Sequence, residues 1–237
     1  MHIHLPKALH NWHEIAKEIA IIVVGVLIAL TAEQLVESWH WHLKVEAAIR
    51  DMSDELSDDD GVEAYVQQTI SACADRRLDA IRDAIEAGDR PRARQLIDTF
   101  WLPTRSYDNQ ALDAAIAAGV PGRLPTDRMH LYRTAYSVTP VLSRMGERVD
   151  QDLARLRAVP RNGGAISEAD RYDMVVTVES LRMDNQRLSA GGRVVLRAMQ
   201  SLGLGLHKYP LGLQMEPARH FYGNCLKPPS AEDLQRR

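Results

Sequence analysis

Residues 12–41 read WHEIAKEIAIIVVGVLIALTAEQLVESWHW, and the way this stretch is accommodated decides the fold. Within it, residues 19–32 carry no charge. As a helix they span about 21 Å, short of the ~30 Å hydrocarbon core of a bilayer. Apolar positions continue outward through Ile15 and Ala16 on one side and Leu35 and Val36 on the other. A helix over 15–36 is about 33 Å long and suffices to cross. Trp12 precedes the run, and Trp39 and Trp41 follow it. Trp12 and Trp39 stand about 40 Å apart along a helix, near the full bilayer thickness, and indole rings prefer that depth. A buried core helix and a cleaved signal peptide are the competing readings. The second is disfavoured because Leu30 falls where signal peptidase needs a small residue.

The expected organisation is therefore a short cytoplasmic segment over 1–14 and a single transmembrane helix over 15–36. Trp12, Lys17, Trp39 and Trp41 mark its interfaces, with Lys17 able to snorkel. Gly25, Ala29 and Ala32 fall on one helical face, and Glu33 adjoins it. Small residues at this spacing let helices approach closely in lipid, so this face is a candidate association seam for a homo-oligomer or a second membrane protein. Basic residues flank the span almost evenly, but none occurs between Arg50 and Arg76. That scarcity favours translocation of the C-terminal part and a periplasmic location for it.

The segment 12–41 resembles a broad group of uncharacterised bacterial proteins with one N-terminal membrane helix. Shared features are a Glu before an apolar run, a GVLIAL core, a polar pair and then Trp. CADRRLD at 73–79 and the downstream Cys225 are similar to members carrying extracytoplasmic helices. The resemblance covers about a sixth of the chain. It implies an inner-membrane anchor and a helical domain, and no activity.

Beyond the span the pattern is helical throughout. Ile49, Met52 and Leu56 recur on one face. The Asp58-Asp59-Asp60-Gly61 run is a candidate break, and its acidic side chains are expected to form a solvated face. Val62, Val66, Ile70, Leu78, Ile81 and Ile85 restore the period, and Gly88 offers a stop. Pro91 suits the first turn of a short helix, and 109–119 form another short helix ending at Gly119. Leu131, Ala135, Val138, Leu142, Met145, Val149, Leu153 and Leu156 step by three and four, with Pro140 expected to kink or split that helix. PRNGG at 160–164 is a loop. Met174, Val178, Leu181, Asn185, Leu188, Gly192, Val195, Met199 and Leu202 form the longest stripe. Gly191-Gly192 either admits a close neighbour or weakens the helix. No alternating strand pattern appears. The expectation is an all-α protein: the membrane helix, a bundle of three to four main helices over 37–204, and a proline-bearing irregular tail over 205–237.

Chemistry is sparse. The net charge is -3, which removes the basic footprint of a nucleic-acid binder. His40 and His42 point apart on a helix, and HEIAKE at 13–18 lacks the second histidine of a zinc-protease motif. An EF-hand loop with Gly61 as its turn glycine would begin at Leu56 and end at Gln67, both unsuitable ligands. Neither a nucleophile elbow nor a P-loop occurs. No cofactor, metal or catalytic residue is expected. Cys73 and Cys225 remain; in an oxidising compartment they are expected to bridge, otherwise to persist as two buried thiols. The leading functional reading is a membrane-anchored interaction or scaffold protein, with membrane lipid and a membrane protein or a second copy as partners. The alternative is a ligand-sensing helical module acting through a partner.

Overall fold

The computed structural model describes residues 12–104, 107–158 and 166–228. The expected cytoplasmic segment up to residue 11 and the loop at 160–164 lie outside them. The chain divides into two compact units, 1–47 and 48–237. All regular structure among the described residues is helical, as the stripes require.

Helix α1 runs Trp12–Glu55 and contains the whole first unit that is described. Its apolar residues face outward: Ile21 is 73%, Ile28 65% and Leu35 68% exposed. The 18-residue apolar window has a mean hydropathy of 2.4 and none of it is buried. This helix is long and apolar enough to cross a membrane.

The second unit is built on three long helices: α2 (Gly61–Glu86), α5 (Thr126–Ala158) and α6 (Glu168–Leu202). Helix α6 packs against both α2 and α5. The short helix α3 (Arg90–Asp98) lies against α2 and α5, α4 (Gln110–Ala117) follows it, and α7 (Lys208–Tyr222) lies against α2. The stops at Gly88 and Gly119 come where expected, and these two, like Gly203 after α6, take positive φ just past helix ends, where a Cβ would be strained. Asp89 caps α3 through Arg92 N–H, with Pro91 in the first turn.

The stripes on α2 and α6 are buried as read, except that Leu202 is half-buried. Gly192 serves close approach. A Cβ there would stand 3.4 Å from Ala64 Cα, so the α2 and α6 backbones nearly touch at this level.

Two expectations are corrected and a third is narrowed. Pro140, expected to kink or split its helix, does not split α5, which continues to Ala158. The amide missing at Pro140 would have bonded the Tyr136 carbonyl. Instead the Thr139 hydroxyl donates to that carbonyl at 2.9 Å, so the freed acceptor stays satisfied inside the protein. The buried face of α5 also differs: Tyr132, Tyr136, Thr139 and Gly146 are buried, whereas Leu131, Val138 and Met145 are half-exposed. Finally, the tail expected to be irregular over 205–237 carries α7 in its middle, and is irregular at 204–207 and 226–228. Pro210 stands in the first turn of α7, where an N–H has no acceptor within the helix. Met215, Ala218 and Tyr222 form the face that α7 buries.

The candidate break at 58–61 is a π-turn. Residues Leu56–Asp60 form it, and the Gly61 N–H bonds back to the Leu56 carbonyl. This accommodates an extra residue without ending the helix. It also requires glycine, because a Cβ at 61 would overlap the Leu56 carbonyl oxygen and the Met199 sulfur. Helix propensity alone favours Ala over Gly by about 1 kcal/mol. Here the overlap reverses the sign, and Gly61→Ala is expected to lower unfolding stability by about 1–3 kcal/mol, the usual cost of overpacking. Urea titration of the two proteins measures it; an equal or higher midpoint for the variant would mean that the turn relaxes freely.

Candidate functional site

The face that begins at Met52 and Leu56 and resumes at Ile70 and Ala74 passes through Asp60, Glu63 and Gln67. All seven side chains are buried. The sequence therefore contained a signal that its acidic composition hid: the i, i+4, i+7 continuation of the apolar stripe runs through the carboxylates. The expectation of a solvated acidic face is overturned here. Asp60 is 1% and Glu63 4% exposed, and Asp58 and Asp59 are half-buried.

The segment after residue 106 builds the opposing wall. The Asp108 N–H donates to Asp60 Oδ1 at 3.1 Å. The Ala111 N–H donates to Glu55 Oε2 at 3.0 Å. Ala111 is in the first turn of α4, and the Asn109 side chain does not cap that helix. The Glu55 carboxylate thus caps α4 from another element, where the orphan amides favour negative charge. Tyr107 is tied to α5 by the Ser143 hydroxyl, which accepts from its N–H and donates to its carbonyl, both at 3.0 Å. Tyr136 donates to the Met52 carbonyl at 3.1 Å, and Tyr132 and Ser53 share a hydrogen bond of 2.8 Å.

Electrostatics follow from this enclosure. Desolvation pushes the Asp60 carboxyl up to about 8. Donation by Asp108 N–H opposes that, and the charges of Glu55, Asp59 and Asp108 reinforce it. Asp60 Oδ2 and Glu55 Oε1 are buried without a hydrogen-bond partner, an arrangement that favours protonated carboxyls. Burial also raises Glu55, partly offset by hydrogen bonds from Ala111 and Tyr136. Burial raises Tyr107 and Tyr136 too, keeping both phenols neutral. The site can hold a proton at neutral pH. Among the described residues no three His, Cys, Asp or Glu side chains are grouped to hold a metal ion.

The residues singled out from sequence are distributed as follows. Trp12, Lys17 and Trp39 are exposed on α1, and Trp41 is half-buried with the Lys44 ammonium 5.0 Å from its ring centre. Gly25, Ala29, Ala32 and Glu33 are all exposed on the same helix. Cys73 on α2 and Cys225, just after α7, come together across 152 positions, with Cα atoms 5.9 Å apart and sulfurs at bonding distance. Their spacing lies within the standard Cα range for a disulfide, so the fold places the two cysteines where they can bridge. Asp75 accepts from the Asn185 amide at 2.7 Å, and Asp79 pairs with Arg182 at 2.6 Å, both across the α2–α6 contact. Gln67 Nε2 donates to Asn185 Oδ1 at 2.8 Å, so the buried Asn185 fixes the register of the two helices.

Comparison with known protein families, curated proteins and solved structures finds no match for the chain.

Proposed function

We propose that this protein is a membrane-anchored, non-enzymatic interaction or scaffold protein. It sits in a bacterial inner membrane, crosses once through α1, and presents its helical domain on the periplasmic side. The observation that carries the reading is the outward-facing apolar surface of α1, uncovered by any described part of the chain. Leaving a Val, Leu or Ile in water forfeits about 1.5–3 kcal/mol each, and this helix displays such residues on every face from Ile19 to Val36. A bilayer removes that penalty. The Cys73–Cys225 pair suits an oxidising compartment, which supports the periplasmic side. The partner engages the seam of Gly25, Ala29, Ala32 and Glu33, either as a second copy or as another membrane protein.

Alkaline carbonate washing tests the anchor. The full-length chain is expected to remain in the membrane pellet, and its release would refute insertion. Alkaline phosphatase inserted at Gly88 or at Gly205 tests the side, because that enzyme is active only after oxidation. Activity at both positions is expected. Inactive, normally expressed fusions at both would place the domain in the cytoplasm. Purification in native-membrane particles then tests the scaffold role, where a stoichiometric membrane protein or a dimer is expected and a solitary monomer would argue against it.

A further inference from the structure

A pocket of about 240 Å³ opens onto the Cys73–Cys225 pair, with Arg76, Arg77, Leu96 and Tyr222 among its walls. Cys73 is buried at 3% exposure, whereas Cys225 is half-buried and faces this opening. The Arg76 guanidinium lies 3.7 Å from Cys73 Sγ and also contacts Cys225 Sγ. A disulfide enclosed only by apolar side chains would be inert. This one has a cation beside both sulfurs, a second guanidinium in the pocket wall, and one sulfur approachable from solvent.

We propose that Cys225 is a modification site for a small anionic thiol, which enters the Arg76–Arg77 pocket and opens the bridge. The ligand class follows from the walls. Two guanidinium groups favour carboxylates, and the volume admits a small molecule. The incoming thiol loses its proton to solvent before attack. Its thiolate forms a new S–S bond to Cys225 Sγ, and the Cys73–Cys225 bond breaks. The electron pair of that bond departs on Cys73 Sγ as a thiolate, which Arg76 stabilises as the leaving group. The added thiol is oxidised to the mixed disulfide and the protein gains one thiolate, so no further oxidant or reductant is required. The reaction also releases the covalent tie between α2 and the segment that follows α7.

The test uses full-length protein in detergent micelles, with glutathione, 2-mercaptoethanol and cysteamine supplied at equal thiolate concentration. Free thiols are alkylated at intervals and the peptides weighed. Glutathione is expected to react about tenfold faster than cysteamine, the low end of electrostatic focusing in a charged cleft, with 2-mercaptoethanol between. The adduct is expected on Cys225 and the alkyl group on Cys73. Arg76→Gln and Arg77→Gln should each bring the three rates together, and high salt should do the same to the unaltered protein. Equal rates for the three thiols, an order that persists in both variants, or an adduct on Cys73 would overturn the proposal. So would protein isolated without reductant that carries two alkylatable thiols.

Discussion

Asp60→Asn is expected to raise the stability of the helical domain at pH 8 and to leave it nearly unchanged at pH 4. The sign follows from linkage. The folded carboxyl sits at about 8, above its ordinary 3.8, so the folded state holds a proton that the unfolded state has lost across that interval. Stability conferred by the neutral carboxyl is fully present below about 4 and declines as pH rises toward 8. Asparagine is neutral throughout and still offers an oxygen to the Asp108 N–H. The gain at pH 8 should be on the order of a few kcal/mol, given that each pKa unit corresponds to ~1.4 kcal/mol. Denaturant midpoints measured from pH 4 to 9 check this. The native protein should lose stability over that range relative to the variant, and parallel curves would show that Asp60 is solvated. Asp60→Leu is expected to behave worse than asparagine, because the Asp108 N–H would lose its acceptor.

The second large effect belongs to the Cys73–Cys225 bridge. Closing a loop of 152 positions contributes up to about 5 kcal/mol in the chain-entropy model. The double replacement Cys73→Ser, Cys225→Ser is therefore expected to lower unfolding stability by several kcal/mol, and the loss should not be uniform. Helix α7 buries only Met215, Ala218 and Tyr222 among its described side chains, with Tyr222 donating to the Trp101 carbonyl. Its amides should lose protection first. Hydrogen exchange resolved by segment is the measurement: rapid exchange over 208–222 with α6 still protected is expected. Unchanged protection of α7 in the variant would mean that its packing suffices without the bridge.

Much of the architecture was legible because helical periodicity is a local property. The apolar run of α1 announces a helix with no polar face, and the stripes of α2 and α6 bury what their spacing promises. Glycine and proline punctuation placed the ends of α2 and α3 for the same reason: φ preference and a missing N–H act within one turn. The pairing of Cys73 with Cys225 was one of two open outcomes in the sequence. Only the tertiary structure, in which α7 returns Cys225 to α2, brings the two sulfurs within bridging reach.

What the tertiary structure alone decided concerns polar groups on apolar faces. The apolar stripe of α5 includes Leu131, Val138 and Met145, yet these are half-exposed while Tyr132 and Tyr136 are buried. Their hydroxyls reach Ser53 and the Met52 carbonyl, partners some eighty positions away that no local pattern reveals. Asp60 followed the same logic. Five aspartates in the decapeptide before Gly61 suggested solvent, but a π-turn and the 107–111 segment enclose one of them. A side chain's spacing states which way it points. Whether that direction ends in water or in a hydrogen-bonded wall depends on chain segments far away in sequence, and the cost of desolvating a carboxylate depends on that wall.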